Sequence, residues 1–206
     1  MRRFSSSHLL VFSSLLLLAH PARAQAAHPW RVGVSLTAPT PLVKSGEGAA
    51  DSLGRVVPAS SGKANLGIGV AIEASRVWPV NPDVHAELLG RLQAAPISAS
   101  EGGTKWNPGH ALIYDLTVRL DRDVRKDREI YGGIGLSHWS GPSGMAPFAG
   151  ASSMLLAFEA GGAVRQHDGP WSATLGAHVT RFGVNDTQAM QSGYVFRFLA
   201  GVRRAY

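Results

Sequence analysis

The sequence contains no cysteine, which excludes a disulfide framework and any thiolate metal site. Acidic residues are scarce, with 14 Asp and Glu in 206 residues. Charged residues make up 17% of the chain against 45% hydrophobic, a low charge density for a domain bathed in water. After residue 25 no stretch reaches the ~20 apolar residues that a membrane-crossing helix needs. There is no basic block: the net charge of +6 falls to +3 when Arg2, Arg3 and Arg23 are set aside with the leader, and the remaining cations are scattered. A nucleic-acid partner is therefore not expected. His110, His138, His167 and His178 lack the spacing of a metal-ligand set, and no glycine loop has the form of a phosphate cradle, so neither metal nor cofactor is expected. Helical periodicity, internal repeats and low-complexity tracts are also lacking.

What is present begins with a leader. In MRRFSSSHLLVFSSLLLLAHPARAQ, two arginines precede a short apolar run from Leu9 to Ala19, and Ala22-Arg23-Ala24 supplies a small-x-small site before Gln25. This is the anatomy of a secretory signal peptide. Residues 1–24 are expected to be a signal peptide and residues 25–206 one domain.

From residue 28 onward the hydrophobic period is two, the mark of strands. Eight segments are expected, near 28–39, 64–78, 84–98, 110–123, 129–141, 153–166, 171–183 and 194–206. Their connections alternate. Short ones lie at 81–83, 124–128 and 167–170, and longer ones rich in Gly, Ser, Pro and Asn at 40–63, 99–109, 142–152 and 184–193. That rhythm predicts an all-β, up-and-down antiparallel transmembrane barrel of about eight strands. Both termini then fall on one side, the periplasmic one.

Alternation alone fits two barrels that are turned inside out relative to each other. A soluble, lipocalin-like binding barrel puts its apolar face inward, whereas a membrane barrel puts it outward. Two features favour the membrane barrel. The polar set holds both signs in similar number: Glu73, Glu87, Asp115, Asp121 and Glu159 against Arg31, Arg91, Arg119, Arg165, Arg197 and Arg203. A narrow lumen needs paired charges, because an unpaired buried ion costs several kcal/mol. Arg outnumbers Lys in the strands and suits fork-like pairing with carboxylates. These residues are the candidate lumen network, with His85 and His178 as further members. The second feature is the height of the aromatics. Trp30, Trp78, Trp171 and Tyr206 open or close their strands on the same side and belong to the apolar sets, so they are expected to form a periplasmic girdle. Phe182 and Tyr194 are candidates for the opposite rim.

With its leader, strand pattern and closing FRFLAGVRRAY, the chain resembles the small eight-stranded outer-membrane β-barrel proteins of bacteria. The resemblance implies a bacterial outer-membrane location, a monomer in contact with outer-membrane lipid and lipopolysaccharide, and recognition of the aromatic-ended last strand by the outer-membrane assembly machinery. Arg204 stands where an apolar or aromatic residue is commoner in that superfamily. The implied role is structural, surface-interacting, or the binding of a small hydrophobic ligand, to which the apolar loop at 140–158 is suited.

One stretch, GLSHWSGPSG at 135–144, resembles the His-x-Ser motif of the lipid A 3-O-deacylases. That resemblance implies His138 as base and Ser140 as nucleophile of an esterase. It departs from the family at Gly141, where Asn is usual, and no Glu follows in the loop; the next acid is Glu159. Interfacial placement of His138 and Trp139 beside a Ser-Gly loop is the expected reading, and an enzyme is not expected.

Overall fold

The computed structural model describes residues 29–43, 63–101, 104–141, 154–167, 169–181 and 194–206. Residues 1–28 and 44–62, the expected loops at 142–152 and 184–193, and Phe182 lie outside the described residues.

Ten strands are present among the described residues: β1 (Trp30–Thr37), β2 (Thr40–Val43), β3 (Lys63–Leu66), β4 (Gly69–Asn81), β5 (Val84–Glu101), β6 (Thr104–Arg125), β7 (Arg128–Ser140), β8 (Leu155–Arg165), β9 (Trp171–Arg181) and β10 (Tyr194–Ala205). Eight of them close a ring in the order β1-β4-β5-β6-β7-β8-β9-β10 and back to β1, every pairing antiparallel. Closure satisfies the edge strands that an open sheet leaves bare. The first and last strands meet in register from Arg31↔Ala205 to Thr37↔Leu199. Backbone bonds between Trp30 and Tyr206 extend that seam. Both ends of the described chain therefore lie at one end of the barrel, called here the terminus end; the opposite end is distal.

The short connections are at the terminus end. In the first, Asn81 Oδ1 accepts a hydrogen bond from the Asp83 amide at 3.0 Å, an Asx turn that reverses the chain between β4 and β5. At the distal end two expected loops are partly strand. β2 and β3 prolong β1 and β4 beyond the ring; they pair with each other, and β3 also pairs with β5. The break in the first strand falls at Ala38-Pro39, where proline has no amide to donate. The expected loop at 99–109 is instead a hairpin in which β5 and β6 stay paired to Glu101↔Thr104. The register shifts between Ile97 and Ala99. Gly109 absorbs the extra residue with φ 135°, and its amide donates to Asn107 Oδ1 at 3.0 Å, so pairing resumes past the bulge.

Faces follow the period of two. On β1, Trp30, Val32, Val34 and Leu36 are about half exposed, while Gly33, Ser35 and Thr37 are buried. The same holds around the ring: Leu112 to Leu120 on β6 and Phe196 to Val202 on β10 look outward, against Asp115, Thr117, Arg119, Asp121 and Arg197 inward. The barrel is apolar outside and polar inside, which overturns the lipocalin-like alternative. On β10 the outward residues between Tyr194 and Arg204 are Phe196, Phe198, Ala200 and Val202. Ten strand steps at a tilt near 40° span ~25 Å, the height of a lipid-facing band.

Candidate functional site

The lumen is filled in three tiers. At the terminus end, the Arg31 guanidinium lies 2.7 Å from Asp121, 3.1 Å from Glu87 and 3.3 Å from Glu129. Arg165 reaches Asp123 at 2.6 Å and also bonds Glu129, and Arg203 pairs with Glu129 from β10. A cavity of about 1000 Å³ opens at this end, lined in part by Arg31, His85, Asp123, Arg165 and Arg203.

The middle tier centres on two arginines. Arg119 sits 2.6 Å from Glu87, 3.1 Å from Asp121 and 3.4 Å from Glu159, and its guanidinium stacks 4.3 Å from the Tyr131 ring centroid. Arg91 lies 2.9 Å from Glu159 and 3.2 Å from Glu73. The hydroxyls of Ser35 and Ser75 donate to Glu73 and Glu87 respectively. Tyr131 lies flat over the neighbouring strands β8 and β9, where Gly161, its register partner, and Gly176 leave it room. A Cβ at either glycine would stand 2.5 Å from the tyrosine oxygen, a contact that real side chains do not make.

The third tier is held by Arg197, which is fully buried. It donates to Gln93 Oε1 at 2.7 Å and to Asp115 at 2.9 and 3.0 Å, and lies 2.6 Å from His178 Nδ1. Ser137 donates to Asp115 at 2.6 Å and accepts from Trp139 Nε1 at 2.9 Å. Beyond this tier the lumen turns apolar: Leu66, Ala95, Ile97, Ala111, Ile113, Trp139, Leu155 and Val195 form a buried cluster toward the distal end.

Each residue of the expected charge network thus lies inside the ring, and each carboxylate is within ion-pair distance of a guanidinium. The partners differ in one respect from the simplest expectation, that Arg119 holds Glu87, Asp115 and Glu159. Asp115 is held by Arg197 and Arg91 instead, because four residues along a strand place it ~13 Å from Arg119. His178 packs within the network; His85 lines the terminus-end cavity, with no partner on its Nδ1. Sequence reasoning missed Asp123, Glu129 and Tyr131. Asp123 was in reach, since it continues the alternate set Asp115, Thr117, Arg119, Asp121. Glu129 and Tyr131 head a set completed by Gly133, Gly135, Ser137 and Trp139, whose glycines blur the contrast between faces.

His138 and Ser140 share the outward face of β7 near the distal end, opposite Tyr114 and Leu112 of β6. Tyr114 and His138 are in tilted ring contact at 6.2 Å. Trp139, expected at the interface beside His138, instead points into the lumen, because it falls on the face of β7 that carries Ser137, and there it is buried. Glu159, the acid nearest in sequence, lies on the opposite face of the wall, bound to Arg91. On β6, β7 and β8 the described acidic side chains, Asp115, Asp121, Asp123, Glu129 and Glu159, lie on the lumen side.

Among the aromatics, Trp30, Trp171 and Tyr206 are about half exposed and Trp78 less so. All four face outward at the terminus end, on the neighbouring strands β4, β1, β10 and β9. They cover about half of the circumference. Tyr194 faces outward at the other end of β10.

A closed eight-stranded ring, apolar without and ion-paired within, defines a transmembrane β-barrel of the outer-membrane type. No protein-family model matches the sequence, and no curated protein sequence matches it. Solved structures do match the fold. The outer membrane protein OprG from Pseudomonas aeruginosa aligns over 87% of this chain and 96% of its own, with a TM-score of 0.50 and 11% identity. Neisserial surface protein A aligns over 86% and 97%, with a TM-score of 0.50 and 16% identity. The chain has the fold of the small outer-membrane β-barrel proteins.

Proposed function

We propose that this chain is a non-conducting integral outer-membrane barrel, a monomer that anchors its distal loops at the bacterial surface. The terminus end faces the periplasm in this reading: an even number of strands puts both termini on one side, and the short turns beside them are the periplasmic feature of such barrels. One observation carries this reading: the lumen is closed twice, by guanidinium–carboxylate tiers in which Glu87, Arg91, Asp115, Arg119, Glu159 and Arg197 are almost wholly buried and by the apolar cluster beyond them. Eight strands enclose just enough space for side chains to fill, and here they fill it. Outer-membrane lipid and lipopolysaccharide surround the barrel in this reading, and the assembly machinery inserts it. The work of the protein is then done by its outward faces and loops, as a structural or surface-interaction element.

Electrical recording tests this. Purified barrel added to a planar bilayer should give no stable conductance steps above those of the bilayer itself. Long-lived, uniform steps would mean that the ion-pair tiers part to form a pore, and the filled-lumen reading would fall.

A further inference from the structure

Two arginines break the apolar outer face beside the aromatic belt, and both are built into it. Arg76 of β4 lies 5.5 Å from the Trp30 ring and 5.4 Å from the Trp78 ring. Arg204 of β10 lies 5.6 Å from Trp171 and 4.9 Å from Tyr206. Register brings the two clusters together: Trp30 is opposite Arg76 across one seam of β1, and Val32 is opposite Arg204 across the other. The result is a continuous band, Trp78-Arg76-Trp30-Tyr206-Arg204-Trp171, across four adjacent strands. Both guanidiniums are exposed. Neither has a carboxylate partner among the described residues, in contrast to every arginine of the lumen. The far side of the barrel is different. There Arg122 faces outward between Val84 and Ile130, with no ring contact.

We infer that this band is a binding site for the headgroup of an anionic phospholipid, with Arg76 and Arg204 each able to bond the phosphodiester. The rings hold the guanidiniums at the level where the hydrocarbon ends and headgroups begin. A phosphate oxygen accepts in the plane of a guanidinium whose faces are covered by rings, so stacking and phosphate binding do not compete. A zwitterionic lipid offers the same phosphate but brings an ammonium that meets the two arginines with like charge. Among the described residues of the four band strands no acidic side chain faces outward to receive that ammonium, Glu73 being turned to Arg91 in the lumen, so a lipid with a net negative headgroup is the complementary one. The anion could also be free phosphate, but the apolar residues directly above the band, Val32, Ala74 and Val202, suit acyl chains.

The site rests on the barrel being inserted in a bilayer, and one experiment separates the two claims. Full-length mature chain carrying Trp106→Phe is reconstituted in phosphatidylcholine vesicles, leaving the three belt tryptophans and the lumen-facing Trp139. Fluorescence quenching is compared for brominated phosphatidylglycerol and brominated phosphatidylcholine at equal mole fraction. Quenching by either lipid reports insertion; if neither quenches, the membrane reading itself fails. The site predicts that phosphatidylglycerol associates about fivefold more strongly, the scale of one favourable charge contact at a membrane surface. Arg76→Gln with Arg204→Gln should bring the ratio to about one, while Arg122→Gln, which removes one charge from the far side as each single variant does from the band, should leave it unchanged. Each variant is first checked for the gel-mobility shift of a folded barrel; if the double variant does not fold, the two single variants take its place, each lowering the ratio. Equal quenching by the two lipids in the parent chain, or an equal loss in Arg122→Gln, would overturn the site. Loss of the preference in sodium phosphate but not in sodium chloride of matched ionic strength would assign the band to soluble phosphate and overturn the lipid.

Discussion

Replacing Arg119 with Leu should lower the unfolding free energy of the refolded barrel by about 3–5 kcal/mol, the usual cost of stranding buried charge. The guanidinium stands within 3.4 Å of Glu87, Asp121 and Glu159 at once, and all three carboxylates are almost fully buried. Leucine fills much of the volume but neutralises nothing. Arg31 and Arg203 still approach Glu87, and Arg91 still holds Glu159, so the network loses one cation from the middle rather than all its cations. The loss measures the cost of leaving acids unpaired, not the worth of an ion pair. Replacing pair and partner together by apolar residues should cost far less. Arg119→Lys keeps the charge but not the fork that reaches several carboxylates, and should fall between. Urea unfolding of detergent-refolded protein reads all three. A midpoint unchanged in Arg119→Leu would mean that these carboxylates reach water.

Replacing Ile72 with Arg should cost about 2–4 kcal/mol in a bilayer, the penalty for a cation at the midplane of a lipid-facing barrel wall. Ile72 is 56% exposed and lies between Val34 and Leu92 on the neighbouring strands. It stands six residues above Trp78, ~15 Å along the barrel axis, too deep for the side chain to reach either interface easily. On a wall facing water, the same change at so exposed a site would stay within ~0.5 kcal/mol. Folding equilibria in vesicles distinguish the two. A near-zero effect would mean that this wall is wetted.

The contrast between these two positions was legible in the sequence, because lipid outside and a narrow polar lumen impose strict alternation. Each β10 residue from Val195 to Arg203 can be assigned a face from its neighbours alone. The closing seam was legible as well, since strand one and strand eight of a barrel must pair. The partner of each lumen charge was not. An arginine side chain spans several strands, and which carboxylate it meets depends on the stagger of the whole ring; hence Asp115 goes to Arg197, 82 residues away. The hairpin at Glu101↔Thr104 was hidden for a related reason. Its Asn, Pro and Gly residues read as a loop, and only pairing with the partner strand carries them beyond the bulge at Gly109. Arg204 is an anomaly in the sequence alone. With Trp171 and Tyr206 around it, it is part of a band that also contains Arg76.

The orientation of the outer face can be measured directly because the chain has no cysteine of its own. Single cysteines at Phe196, Phe198, Ala200, Val202 and Arg204, all outward on β10, carry a nitroxide in vesicles. Power saturation then compares collisions with oxygen, which concentrates in the hydrocarbon, against a water-soluble nickel chelate. The ratio of oxygen to nickel accessibility should peak at Phe198 and Ala200 and fall steeply toward Arg204. A flat profile with high nickel accessibility at Phe198 and Ala200 would show that water covers this wall, and the chain would not be a membrane barrel.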